Sequence, residues 1–554
     1  MEPDRSALTR SALAAAAALA VGCTAPEFAP DLGPAYAFEE GEDTSQAFAG
    51  IVGVPNIDDD NDNGDADWDD AGADGEDDLS TFWIQPELWK GVKRSERVRL
   101  RITDGDRDVR VWHNGAIVLG DNDGDRAPLE FEIERNKDEA IAFGVEFRDF
   151  LVRAELQLVK LDRNGEDAEV YAFGALASPL VMNHHNQPAE MVMAVHVDYG
   201  DYSNNDFIRG YQDVLDDDRF IAVDGDDYQG DVWIQDEIEF GTVSGPDTRI
   251  DFVIDSIRNR GLDNVAEDLF EAPDFLVRTW GSGQATSQDS FGNLEATPPF
   301  TLNGQHYPFG KAYWGDGGGP FQMTQDLADF FDDQLAQAPF TIDTSWLCVG
   351  HVDEFMSWVP VPGSRLGWKL VYTDIDGAWD VLEAMDPNTE IPRYRQAHGF
   401  DTVGEIVDDS GLRALNESLW EDYLEPNLDI LREETGLTDD DIIWLPGLFE
   451  RASGCGGTTA ALIPGMANLI VANFPGETPE LFMADPFLRT DNGDQSADGM
   501  IPAARAVFGD AANVNFIDDF WVYHYGLGEV HCGSNVIRTP VTDWWKTIGT
   551  LVED

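Results

Sequence analysis

The sequence predicts two folded parts of different class, an all-β sandwich in the first third and a mixed α/β region beyond it. Two patterns carry this. Between residues 49 and about 175, short runs alternate apolar and charged residues, the period of a strand with one buried face. From about residue 176, strand-like runs such as Met191–Val197 and Phe252–Ser256 are mixed with apolar residues at helical spacing. The chain has 554 residues and is 42% hydrophobic, enough for large cores.

In chain order, Arg5 and Arg10 precede an apolar stretch from Ala12 to Gly22 that is too short to span a bilayer. Residues 1–22 therefore read as an export signal, and Cys23 as a candidate lipid anchor of a cell-envelope or secreted protein. Residues 23–48, rich in Ala, Gly, Pro and Glu, read as a flexible tether. Residues 56–78 carry a dense acidic run. Asp59, Asn61, Asn63 and Gly64 fit the first half of an EF-hand loop, but the twelfth position is Asp70 and no clear helices flank it. A non-EF calcium loop is the preferred reading over an open charged linker. Val98, Leu100 and Ile102 then alternate with Arg97, Arg99 and Arg101, and Leu129, Phe131 and Ile133 with Glu130, Glu132 and Glu134. Further on, Leu327, Phe330, Phe331 and Leu335 predict a helix within Met323–Ala338, and Leu412, Leu415 and Leu419 begin another that is interrupted near Pro426. No sequence repeat is visible.

Charge narrows the function. There are 107 Asp+Glu against 35 Lys+Arg, a formal net charge of −72. Such a field repels nucleic acid and anionic membranes and attracts cations and basic peptides. It equally fits a protein kept soluble in high salt. Cys348, Cys455 and Cys532, with Cys23, are too few for a disulfide framework.

Three segments carry the chemistry: Val232–Gly241 (VWIQDEIEFG), Val349–Pro360 (VGHVDEFMSWVP) and Phe516–Pro540, which contains HCGSN around Cys532. A lone cysteine is usually a small core residue. With the other two segments in this order, however, the chain resembles the protein-arginine deiminase family. The resemblance covers roughly residues 49 to 554 and is strongest from Gly230 onward. It implies an immunoglobulin-like sandwich over 49–175 and, over 176–554, a five-bladed pseudo-symmetric α/β propeller. It also implies calcium-dependent conversion of protein arginine to citrulline. Cys532 would be the nucleophile, forming a thiouronium, and His351 the acid and then the base. Asp236 and Asp353 would clamp the guanidinium, whose planar fork suits carboxylates. Trp233 would cover the arginine stem, and Arg258, Arg260 and Val349 would line the substrate rim.

The resemblance also assigns several calcium ions. Gln235, Glu239 and Glu295, with the carbonyls of Phe291 and Leu294, match one site. Glu237, Asp255, Ser256 and Asn259 match a second. Asn56, Asp58 and Asp60, with Asp274, match the acidic-loop region. Read as a strand, Val232–Gly241 puts Gln235, Glu237 and Glu239 on one face and Asp236 on the other. That strict alternation would also put Trp233 with the calcium ligands, so the strand is expected to be irregular there. The family's Arg-His pair at the cleft lip is absent, its positions matching Gly526 and Leu527. Expected partners are arginines in basic segments of proteins or peptides. Two alternatives stay open: a deiminase of free arginine or another small guanidine, and a calcium-stabilised binding protein without activity.

Overall fold

The computed structural model describes residues 28–32, 36–39, 47–58, 66–69, 78–120, 128–200, 202–246, 248–270, 275–334, 336–491, 493–542 and 544–545. The export signal, Cys23, most of the tether, Asp59, Asp60, Asn61, Asn63, Gly64, Asp70, Asp274 and Leu335 lie outside them. The chain divides into two compact units, one of Met1–Pro179, Val243–Ile250 and Thr542–Asp554, the other of Leu180–Thr242 and Asp251–Val541.

The first unit holds two sheets. One has six strands, in the order Tyr36–Glu39, Ala47–Gly53, Asp167–Ala177, Arg153–Leu161, Arg97–Asp104, Glu130–Ile133; the other has four, Ser80–Ile84, Ile141–Phe147, Val109–His113, Ala116–Gly120. The period-two pattern explains their packing. Val98, Leu100 and Ile102 are buried while Arg97 is exposed and Arg99 and Arg101 are half-buried. Phe82 and Phe143 of the four-stranded sheet stack at 5.3 Å, and Phe82 meets Phe173 of the six-stranded sheet edge-on at 5.4 Å. The alternation read through Leu129 needs one correction. The strand starts at Glu130, so Leu129 lies outside it and is exposed.

The second unit repeats one small motif. Four three-stranded sheets have central strands Ala189–His196, Ala312–Asp316, Trp368–Asp374 and Glu480–Ala484. Each central strand takes one antiparallel and one parallel neighbour. A four-stranded sheet runs Val181–Met182, Ile238–Ser244, Arg249–Asp255, Phe275–Thr279, its last pair parallel. None of these sheets closes on itself. The predicted helices appear as Gln325–Gln334 and Ser410–Leu419. The interruption before Pro426 is a single π turn, Trp420–Leu424, after which Glu425–Thr435 continues the helix. Pro426 brings no N–H to the ladder, which relaxes the turn before it.

Candidate active site

The functional side chains sit at one recurring place, just before a strand of each small sheet. Asp236 precedes Ile238–Ser244, Asn293 precedes Leu294–Ala296, and Asp353 precedes Met356–Pro360. Asn468 precedes Ile470–Ala472, and Cys532 precedes Ser534–Arg538. In the first three cases the approach is a 3-10 turn: Ile234–Asp236, Phe291–Asn293 and Val352–Glu354. Val232–Gly241 is therefore not one continuous strand. Its first half is this turn, and strict alternation holds only from Ile238.

Cys532 is buried and carries the free thiol of the described residues. Its Sγ lies 3.4 Å from Asp353 Oδ2 and receives the Asn468 side-chain amide at 3.3 Å. Asn468 Oδ1 accepts from the backbone N–H of His531 at 2.7 Å and of Cys532 at 3.3 Å. His531 Nδ1 bonds Asp353 Oδ2 at 2.9 Å. His351 is oriented from both sides. Its own N–H and that of Gly350 donate to Glu354 Oε1 at 2.8 and 2.9 Å, and its Nε2 meets the Ser287 carbonyl at 2.8 Å. That bond leaves Nδ1 facing Asp236 Oδ1 at 3.6 Å. Gly292 lies among these groups: a Cβ there would stand 2.9 Å from both Asp353 Oδ2 and His351 Nδ1. The small residue leaves the polar atoms room to converge.

Trp233 is half-buried and meets Tyr523 edge-on at 5.4 Å. A Cβ at Gly528 would be 2.3 Å from the indole and 3.2 Å from the Cys532 Cβ, so the indole packs next to the Cys532 segment. A Cβ at Gly526 would meet the same ring at 2.9 Å, which accounts for a glycine at the lip. The exposed aromatics of this rim, Trp521 and Tyr525, escaped the sequence reading. Val349 is half-buried, and its carbonyl accepts from Gln288. Arg258 and Arg260 do not project freely at the rim. Both guanidinium groups reach Asp236 Oδ2, at 3.5 and 3.1 Å, and Arg260 also lies 3.4 Å from Asp231.

Electrostatics divide the site. Burial pushes the Cys532 thiol well above its ordinary value, and the Asp353 and Asp236 carboxylates add to the effect. Burial also raises Glu237 to about 8, against the pull of Arg260, and Asp255 to about 7. Glu239 and Glu295 are pushed up first by burial, and Glu239 next by Glu295 beside it. Both carboxylate oxygens of Glu237, Asp255 Oδ1 and Glu295 Oε1 are buried without a hydrogen-bond partner. A fully buried carboxylate left in that state is costly, so the donor set fits a hard cation that takes oxygen ligands. Gln235 Nε2 already touches Glu239 Oε2 at 2.8 Å and the Phe291 carbonyl at 3.2 Å, which brings three expected ligands together. Leu294 and Glu295 follow in the adjoining strand. Of the second set, the Ser256 N–H donates to the Glu237 carbonyl at 2.9 Å, but Asn259 is exposed and bonds Asp263.

In the first unit, Asn56 and Asp58 are buried. Asn56 donates to Glu146 at 2.9 Å, and Glu146 also accepts from Trp112 at 2.6 Å. Further along the acidic run, Asp67 and Trp68 are buried in a short 3-10 helix, Asp67–Asp69.

Two further features were missed by sequence reasoning. Asn468 sits in an unremarkable apolar stretch and offers no signal. Cys348 and Cys455 form a disulfide across 107 positions, and Cys348 immediately precedes the Val349–Pro360 segment.

A model of the family "Protein-arginine deiminase (PAD)" matches residues 175–546. Protein-arginine deiminase type-4 of Homo sapiens is 30% identical over 501 residues, covering 84% of this chain and 71% of that protein. The type-4 protein of Rattus norvegicus is 33% identical over 337 residues, covering 58% and 48% respectively. Type-1 of Homo sapiens is 30% identical over 449 residues, covering 76% and 65%. The matched part thus spans from about half to 71% of these relatives' own length.

Proposed function

The chain belongs to the protein-arginine deiminase family, and from that premise we propose that it hydrolyses protein arginine to protein citrulline and ammonia. The observation that carries this is the convergence of Cys532, Asp353, His351 and Asp236 around Gly292. Asp236 and Asp353 hold the guanidinium by paired, charge-assisted hydrogen bonds. Burial, and after it the Asp353 and Asp236 carboxylates, hold the thiol protonated; a cationic substrate beside it offsets those charges and favours the thiolate. The thiol proton passes to His351 and Sγ attacks the guanidinium carbon. His351 gives a proton to the departing ammonia, which leaves a thiouronium on Cys532. His351 next takes a proton from water, whose oxygen attacks the same carbon and returns the thiol. Arginine and water are consumed; citrulline and ammonia leave. The substrate guanidinium has to displace Arg258 and Arg260 from Asp236, which frees Arg260 to donate to a peptide carbonyl.

Calcium fits this reading. Gln235, Glu239, Glu295 and the Phe291 and Leu294 carbonyls would hold one ion, and Glu237, Asp255 and Ser256 a second, with Asn259 turned inward. Asn56 and Asp58 would serve the acidic loop. Bound cations supply positive charge that lets these carboxylates stay ionised next to Asp236. The five small sheets are best read as blades of an α/β propeller, and the two sheets of the first unit as an immunoglobulin-like sandwich. Export is supported by the Cys348–Cys455 bridge, since disulfides persist in oxidising compartments. An unprocessed N-terminus in the cytosol of the native host would count against it.

The test is citrulline release from a blocked arginine amide, free arginine and a basic arginine peptide, with calcium or chelator. Calcium-dependent turnover with the peptide favoured is expected. Higher kcat/KM on free arginine would overturn the protein-substrate reading, and full activity in chelator the calcium reading.

A further inference from the structure

Beside Cys532 lies a second ligand set, of a different chemical kind. His185, Glu295 and His531 are each more than nine-tenths buried, and one ligand atom from each lies within 4.8 Å of the other two. His185 Nε2 stands 3.1 Å from Glu295 Oε2, and His531 Nε2 stands 3.6 Å from Glu295 Oε1. Each imidazole is fixed through its other nitrogen: His185 Nδ1 bonds Ser357 Oγ at 3.0 Å, and His531 Nδ1 bonds Asp353 Oδ2 at 2.9 Å. This is how ligating histidines are held, with the far nitrogen engaged and the near one presented. Glu295 Oε1 has no hydrogen-bond partner. Two imidazoles and one carboxylate form a set that divalent transition metals prefer and calcium does not.

We propose that His185, Glu295 and His531 bind a divalent transition-metal ion such as Zn²⁺, and that the bound ion inhibits the enzyme. Occupation takes Glu295 from the calcium set and holds His531, the residue before Cys532, through its bond to Asp353. The inhibitory half of this proposal rests on the calcium reading above. The binding half does not, and it is tested without turnover.

Co²⁺ is titrated into the calcium-free Cys532→Ala protein, which has no active-site thiol to bind metal, and followed by its visible absorption. One nitrogen- and oxygen-ligated ion that disappears in the added His185→Ala change is expected. Loss of the Ser357 hydroxyl, in Ser357→Ala, should weaken binding by about tenfold or more. Pulsed EPR of Cu²⁺ on the Cys532→Ala protein needs no change at His185 and should count two coordinated imidazoles. Unchanged cobalt affinity in folded His185→Ala protein, or fewer than two imidazoles on copper, overturns the site. With the intact enzyme, Zn²⁺ should raise the calcium needed for half-maximal citrulline release. Inhibition at an unchanged calcium requirement overturns the competition at Glu295.

Discussion

The face of the six-stranded sheet and the cleft treat the same residue types in opposite ways. On the six-stranded sheet, Arg99 and Arg101 pair with Glu130 at 2.7 and 2.8 Å, Arg97 with Glu132 at 3.0 Å and Arg101 with Asp167 at 3.0 Å, all in contact with solvent. In the cleft, Glu237 is fully buried with neither oxygen bonded, although Arg260 lies nearby. Its arginines instead serve Asp236. Surface pairs are individually weak and replaceable. A buried unpaired carboxylate is a standing cost, retained where something positive is to be bound. Formal charge alone does not separate these two uses of acid; burial and partners do.

The largest expected effect removes the chemistry and leaves the charges. Cys532→Ala should cut citrulline release by roughly 10⁴-fold or more while the protein keeps its fold and its calcium binding; release near the wild-type rate would falsify the nucleophile. Next, Glu237→Gln deletes one buried acid. It should raise the calcium needed for half-maximal activity, by calcium titration. It should also stabilise the calcium-free protein near pH 8, by an amount on the order of 1–3 kcal/mol in denaturant melts. A calcium-free melt unchanged by this substitution breaks the contrast with the surface pairs.

The pH dependence sharpens the same point. Glu237, raised to about 8, and Asp255, raised to about 7, keep protons in the folded chain that the unfolded chain has lost. Their contribution to stability is complete below the ordinary carboxylate range and is lost as pH rises through about 7 to 8. In the proposed calcium sites the ion would have to displace those protons, so calcium affinity should climb across the same window. Denaturant melts in chelator from pH 5 to 8.5 read the first effect and calcium titrations the second; Glu237→Gln should flatten part of both slopes. The smallest effect belongs to the surface. Arg99→Ala should cost about 1 kcal/mol or less and leave the calcium requirement unchanged.

Much of this was legible in the chain. Val98, Leu100 and Ile102 announce their strand because one face is buried and the other wet. The cleft segments announce themselves through unusual neighbours, His-x-Asp-Glu and Gln-Asp-Glu. Other features could not be read. Trp233 precedes and Asp236 ends a 3-10 turn, which has neither of the periods that sequence patterns expose. Asn468 is one asparagine among apolar residues, and its role arises only when the fold brings it to Cys532. The four three-stranded sheets share a pairing pattern made by backbone groups, so no side-chain repeat records it. A bridge across 107 positions leaves no local trace.

That bridge has a consequence for how the protein is handled. Cys348 ties the start of the Val349–Asp353 segment to a glycine-rich turn at Cys455, in which Gly454, Gly456 and Gly457 all have positive φ. Closing a loop of this length restricts the unfolded chain by about 5 kcal/mol in the simplest entropy model. Cys532, by contrast, must stay a thiol to act as the proposed nucleophile. One protein therefore asks two things of its redox surroundings: oxidising enough to keep the bridge, mild enough to spare the nucleophile. Added dithiol serves one demand and undoes the other, so a reductant series should show activity passing through a maximum and falling once the bridge opens.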